Sequence, residues 1–132
     1  PPSFDEELAI VDRYTGTIDP APPVETVLSG DELRAIQDLV RQVPIADDIS
    51  ERAVRLVADT READRLEYGA SPRASMALVV GAKAHALLEG QTYVSEADLE
   101  AIDSPVLRHR VVVDFRAERD GVTPDDVIET LL

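Results

Sequence analysis

The residue best placed to do chemistry is Arg73, which follows Ser71 and Pro72 at a predicted helix start. Ser71 suits the cap, and Pro72 suits the first helical position, where the missing N–H of proline costs nothing. A cation in the first turn opposes the helix macrodipole, at a cost of about 0.3 to 1 kcal/mol. Because helix starts attract anions and a guanidinium can hold two phosphate oxygens, one interpretation of the pattern is that Arg73 meets a phosphate. The other interpretation, which the local chemistry alone favours, is an ion pair with a nearby acid: Glu62, Asp64 or Glu67.

Three other arginines are weaker candidates. Arg61 ends a predicted helix, from which it either faces a nucleotide or hydrogen-bonds the following loop, and the structural role is favoured. Arg108 and Arg110 follow another predicted helix, where cations interact well with the helix dipole. These two are candidates for contact with another domain or subunit, although capping and local acid pairing is the favoured interpretation.

The sequence predicts neither a metal site nor a complete catalytic site. It has no cysteine, and its two histidines, His85 and His109, lack metal-ligand spacing. His85 is instead predicted to be a satisfied residue in the core or at its boundary. Neither a G-x-x-x-x-G-K-[ST] loop nor an apolar strand ending in Asp-Glu is present, so the phosphate cradle and the Mg²⁺ ligands are both missing. The chain by itself is therefore not expected to hydrolyse a nucleotide.

The elements that must position these side chains are mainly helical. Apolar residues at helical spacing predict a bundle of about five helices, after a short first helix within residues 1–14. The predicted start signals are Ser29 with Glu32, Asp48, Ser71 with Pro72, Ser95, and Thr123 with Pro124. Residues 74–88 are apolar nearly all round, which predicts a helix buried in the middle of the domain. The β-branched run 111–113 is predicted to pair with residues 92–94 in a small two-stranded ribbon, and Thr15–Val27 is predicted to be a linker.

The composition describes one acidic and aliphatic chain. Its 132 residues carry a net charge of −14 and are 44% hydrophobic but only 4% aromatic. The charge argues against nucleic acid and anionic membranes as partners, because binding to such polyanions normally needs a basic patch. No signal peptide or membrane span is evident, so a cytoplasmic protein is the default expectation. Twelve arginines against one lysine fit either a halophile, whose acidic surface is screened by salt, or the codon bias of a high-GC mesophile.

Four stretches together carry a family resemblance. Tyr68–Ser75, with the letters Y-G-A-S-P-R-A-S, resembles the G-A-S-P-R-A motif of the MoxR family of AAA+ ATPases. Before it, Asp59–Arg61 is similar to the A-T-R end of the preceding helix. After it, Gln91–Leu99 is similar to D-Y-V-T-P-E-D-V and Val106–Arg110 to V-L-R-H-R, so the four stretches have the expected order and spacing. Two departures, Ser95 in place of Thr and Glu96 in place of Pro, leave the cap chemistry intact.

The resemblance implies a division of the chain. Residues 1–27, in which Pro2 and Glu7 fit the family pattern, close the ATPase core and lead into the lid, and residues 28–132 form the helical C-terminal lid. In AAA+ proteins the arginine that opens this lid helix is the sensor-two residue. The resemblance therefore implies that Arg73, with Ser71 and Pro72 beside it, reaches the γ-phosphate of ATP bound in the core.

The resemblance also implies what the parent protein works with. ATP and Mg²⁺ are its expected cofactors, and neither is expected to bind tightly to this chain alone. The expected partners are the core domain of the same chain, neighbouring subunits of a hexameric ring and proteins with von Willebrand factor A domains, in a chaperone-like remodelling machine. The alternative is a free-standing acidic helical adaptor that binds a protein partner and no nucleotide.

Overall fold

The computed structural model describes residues 1–15 and 24–132. The chain forms two units, Pro1–Leu33 and Arg34–Leu132. The elements of the described residues are α1 (Phe4–Thr15), α2 (Gly30–Gln42), α3 (Asp47–Glu62), β1 (Leu66–Tyr68), α4 (Pro72–Leu88), α5 (Glu96–Leu107), β2 (Val112–Val113), α6 (Phe115–Arg119) and α7 (Pro124–Glu129). The predicted mainly helical fold with one small ribbon is confirmed. Most of the predicted linker, residues 16–23, lies outside the described residues, and the domain boundary at residues 27 and 28 stays a prediction.

Most of the predicted helix starts hold because the cap chemistry is local. In α2, α5 and α7 a Ser or Thr hydroxyl accepts the amide three residues on, whose acid side chain accepts the cap amide in return. The start of α3 differs from its prediction. Its cap position is Ala46, without a side-chain hydrogen bond, and Asp48 lies inside the first turn. From there the Asp48 carboxylate accepts the N–H of the next residue, Ile49, at 2.9 Å.

Helix α4 lies at the centre of the second unit, against α3 and α5. Its buried face consists of Ala74, Leu78, Ala82 and Ala86, all 0% exposed. Three of these four residues are alanines, whose small side chains let the neighbouring helices approach closely. The prediction that α4 is buried all round is wrong for its other face, because Met76, Val80 and Leu88 are more than half exposed. Among the residues that the structure describes, the helices packed against α4 cover one side of it.

The two-stranded ribbon has a partner that the sequence did not predict. Strand β2 pairs antiparallel with β1, so that Leu66 lies opposite Val113 and Tyr68 opposite Val112. The predicted partner, residues 92–94, is occupied elsewhere, because the Val94 N–H donates to the carbonyl of Pro44 at 2.9 Å. In the sequence, β1 lies between α3 and α4, and β2 follows α5. The ribbon therefore joins the ends of these helices. No helix in the described ranges is long and apolar enough to cross a membrane.

Candidate functional site

The loop that precedes α4 lies directly against the last turn of α3. A Cβ added to Gly69 would stand 2.5 Å from the carbonyl oxygen of Thr60 and 2.6 Å from both the Cα and the N of Arg61. Ordinary van der Waals contact begins at 3.4 Å, and all three neighbouring atoms are backbone. Gly69 is therefore required by close approach, since its φ is not in the left-handed region.

Thr60 joins this loop to α3 from the buried side. Thr60 is 0% exposed, and its Oγ1 accepts the N–H of Ala70 at 2.9 Å. The same hydroxyl donates to the carbonyl of Val57 at 2.7 Å. A hydroxyl has one proton and two lone pairs, so both hydrogen bonds are made at once. The buried N–H of Ala70 thereby has the partner that a buried donor needs.

Arg61 contacts the backbone carbonyl of Ala70, the other polar backbone group of that residue. Its Nη1 donates to the carbonyl of Ala70 at 3.4 Å, a long hydrogen bond. This contact agrees with the favoured role of Arg61 in binding the following loop. The end of α3 thus contacts both the N–H and the C=O of Ala70, and the motifs Asp59–Arg61 and Tyr68–Ser75 meet in space.

Arg73 leaves the first turn of α4 between two fully buried alanines. Ala70 and Ala74 are both 0% exposed, whereas Arg73 is exposed. Ser71 is the N-cap residue and Pro72 the first helical residue, but the Ser71 side chain makes no cap hydrogen bond. The turn is closed by the backbone, from the Ala74 N–H to the Ser71 carbonyl at 2.8 Å. Arg73 forms no ion pair within the part of the chain that the structure describes, so none of the three nearby acids neutralises it.

Arg108 and Arg110 differ in their contacts. Arg108 donates through Nε and Nη2 to the carbonyl and the hydroxyl of Ser104, both at 3.3 Å. Its Nε also lies 3.2 Å from Asp125 Oδ1, so its contacts are the capping and local acid pairing that were favoured. Arg110 is exposed, and its side chain forms no hydrogen bond or ion pair with another described residue.

Two buried carboxylates on α5 are structural. Asp98 accepts hydrogen bonds from the Ser95 amide and hydroxyl and lies 2.8 Å from His85 Nδ1. Burial opposes its ionisation, but these hydrogen bonds outweigh burial and hold the pKa of Asp98 below its ordinary value. His85 is thereby satisfied at the core boundary, as predicted. Asp103 is 3% exposed, and burial raises its pKa although it accepts the Ser104 amide.

The sequence singled out Arg73 but assigned no role to Thr60 or Gly69. Both lie in motifs that were recognised, and the signals were local: a threonine in the last turn of one helix and a glycine just before the next helix cap. What could not be seen in the sequence is that Thr60 and Gly69, nine residues apart, touch in the fold. Among the described residues, no three His, Asp or Glu side chains are grouped so that they could hold a metal ion.

The sequence that forms this site matches a known protein family. A family model for the AAA lid domain matches residues 58–131, which include Thr60, Gly69 and Arg73. Chaperone MoxR1 of Mycobacterium tuberculosis is 31% identical over 140 residues, with 99% of this chain and 36% of that protein covered. The uncharacterized protein YeaC of Bacillus subtilis is 30% identical over 131 residues, with 99% and 41% covered.

A solved structure extends the similarity to three dimensions. The crystal structure of a candidate ATPase from Cytophaga hutchinsonii has a TM-score of 0.77 and 27% sequence identity, with 98% of this chain and 42% of that chain covered. The chain therefore spans about two fifths of the length of the proteins it matches.

Proposed function

The chain belongs to the AAA lid domain family and is the C-terminal lid of a MoxR-type AAA+ ATPase, and on that premise we propose that Arg73 is its nucleotide sensor. In this role the guanidinium reaches the γ-phosphate of ATP bound in the core domain, and Ser71 and Pro72 form the helix start that presents it. One observation carries the proposal: Arg73 is exposed and without an ion pair among the described residues, on backbone fixed by buried neighbours.

The physical basis is a difference in affinity between two nucleotides. An arginine that contacts only the third phosphate binds ATP more tightly than ADP, because charge-assisted hydrogen bonds to that phosphate are absent with ADP. A ligand shifts a conformational equilibrium only by such a difference. The same contact would stabilise charge that develops during phosphoryl transfer. The position of the lid would thus follow the state of the nucleotide.

The function of the parent protein extends this proposal. We infer an ATP-driven, chaperone-like remodelling machine of the cytoplasm, in which Mg²⁺ and the phosphate cradle are supplied by the core domain. Its partners would be the core of the same chain, neighbouring subunits of a hexameric ring and proteins with von Willebrand factor A domains. The exposed Arg110 is a candidate for the subunit contact. Arg108 is a weaker candidate, because its guanidinium already contacts Ser104 and Asp125.

The first helix supports the proposed division of the chain. In α1 the apolar residues Phe4, Leu8 and Val11 share one face and are 79%, 49% and 47% exposed. Apolar side chains at helical spacing normally pack against another element. We propose that residues 1–27 belong to the end of the ATPase core and that this face of α1 packs there.

The test is Arg73→Ala in the full-length ATPase, with steady-state ATP turnover and the ADP inhibition constant as readouts. Each lost hydrogen bond to a charged group is worth about 1.5 to 3 kcal/mol, so we expect kcat/KM for ATP to fall about 10- to 100-fold. The affinity for ADP should change less, because the contact is to the γ-phosphate. Arg73→Lys should recover only part of the loss, since an ammonium lacks the planar fork.

Arg55→Ala is the matched control, because Arg55 is also an exposed arginine on a helix and lies outside the loop contacts described above. It should leave turnover within about twofold of wild type, since exposed charges away from a site contribute little. Unchanged turnover and unchanged ATP-to-ADP selectivity in Arg73→Ala would refute the sensor role.

A further inference from the structure

The position of Arg73 depends on a short chain of buried contacts that begins on α3. Thr60 Oγ1 holds the Ala70 N–H at 2.9 Å, and Ala70 is three residues before Arg73. Ala70 and Ala74 are both fully buried in the same apolar core. Between them, the backbone bond from Ala74 to Ser71 closes the first turn of α4. The backbone from Ala70 to Ala74, which includes Arg73, is thus held at both ends by buried contacts.

We propose that Thr60 is a positioning residue for the sensor, one that acts on Arg73 through the Ala70 amide; this rests on the proposed role of Arg73. The direction of the hydrogen bonds is fixed, because the single hydroxyl proton goes to the Val57 carbonyl at 2.7 Å and only a lone pair remains for the Ala70 N–H. The Thr60 hydroxyl therefore links the Ala70 amide of the loop to the Val57 carbonyl in the backbone of α3. The lid would carry its arginine as part of a rigid unit with α3.

The consequence is functional because the contact to a phosphate is sensitive to distance. A displacement of about 1 Å in a group that positions substrate can cost about 100-fold in rate. Gly69 leaves no space between the loop and α3, since even a Cβ there would lie 2.5 Å from the Thr60 carbonyl oxygen. Loss of the Thr60 hydroxyl would let the loop move only outward, away from α3, and Arg73 would move with it.

The experiment is a double-mutant cycle in the full-length ATPase with Thr60→Val and Arg73→Ala. Valine has nearly the shape of threonine but cannot accept the Ala70 N–H. We expect Thr60→Val to lower kcat/KM for ATP by at least about tenfold, and Thr60→Ser, which keeps the hydroxyl, to stay within about threefold of wild type. In the double variant the loss of kcat/KM should equal that of Arg73→Ala alone. Thr60→Val acts by displacing the Arg73 side chain, so it has no further effect once that side chain is removed.

The matched control is Thr130→Val. Thr130 Oγ1 donates to the Val127 carbonyl at 2.7 Å, three residues back at the end of α7, as Thr60 does to Val57 at the end of α3. Thr130 holds no loop amide, so its replacement should leave turnover and ATP-to-ADP selectivity unchanged. Hydrogen exchange at the Ala70 amide should become faster in Thr60→Val and should remain as in wild type in Thr130→Val.

The outcomes separate this inference from the proposed function. If Arg73→Ala impairs the ATPase but Thr60→Val is neutral, or if the two losses multiply in the double variant, the positioning role is refuted and the sensor role stands. If Arg73→Ala has no effect, both are refuted. If Thr60→Val does not fold, as judged by circular dichroism, the cycle is run with Thr60→Ala and judged against Thr60→Ser, which differs from it only by the hydroxyl.

Discussion

Gly69→Ala should destabilise the second unit more than a glycine-to-alanine substitution at a position that has space for the Cβ. The new Cβ would lie 2.5 Å from the Thr60 carbonyl oxygen and 2.6 Å from two backbone atoms of Arg61, against 3.4 Å for ordinary contact. Because backbone cannot rotate away as a side chain can, the loop must move outward by about 1 Å. That movement would stretch the 2.9 Å hydrogen bond from the Ala70 N–H to Thr60 beyond bonding distance.

The magnitude follows from these two effects. Overpacking of a well-packed site costs about 1 to 3 kcal/mol, and a buried N–H left without a partner costs about 1 to 3 kcal/mol. We expect the free energy of unfolding to fall by about 2 to 6 kcal/mol. For a unit of this size, about 1 kcal/mol lowers Tm by about 4 to 8 °C, so the expected drop is at least about 8 °C.

The assay is thermal and urea denaturation of wild type and variant, followed by circular dichroism at 222 nm. Gly30→Ala is the control, because a Cβ at Gly30 would meet nothing within 4 Å. We expect that variant to be neutral or more stable by up to about 1 kcal/mol, since alanine favours a helix over glycine. A Gly69→Ala protein within about 0.5 kcal/mol of wild type would refute the claim that the loop is clamped against α3.

Two further predictions concern charge. Folding raises the pKa of Asp103, chiefly by burial, and its Oδ2 has no hydrogen-bond partner in the described residues. Its stabilising contribution is therefore fully present below the unfolded-chain pKa of about 3.9 and is lost as pH rises through the folded-state pKa. Asp103→Asn should raise the free energy of unfolding by about 1 kcal/mol at pH 7 and leave it unchanged near pH 3. The measurement is urea denaturation at both pH values, and equal gains at the two would contradict this. If the net charge of −14 reflects life in salt, molar KCl should raise Tm, and a Tm insensitive to KCl would exclude the halophilic interpretation.

Much of the fold could be predicted because its signals are local. Ser29 with Glu32, Ser95 and Thr123 begin helices as predicted, since cap hydrogen bonds join residues three apart in the chain. The ribbon was predicted with the wrong partner. Which strand pairs with residues 112–113 depends on where α3 and α4 end in space, and a two-residue strand has too little pattern to specify this.

By itself, the sequence determined the acidic helical character of the chain and the unusual arginine at a helix start, because composition, periodicity and cap chemistry are properties of neighbouring residues. The tertiary structure decided what holds that arginine. Gly69 and Thr60 look ordinary in the sequence, and only the packing of the loop on α3 makes one of them sterically obligatory and the other a buried hydrogen-bond partner. It also decided that one face of α4 stays exposed, since burial depends on which helices pack against it and not on its own apolar residues.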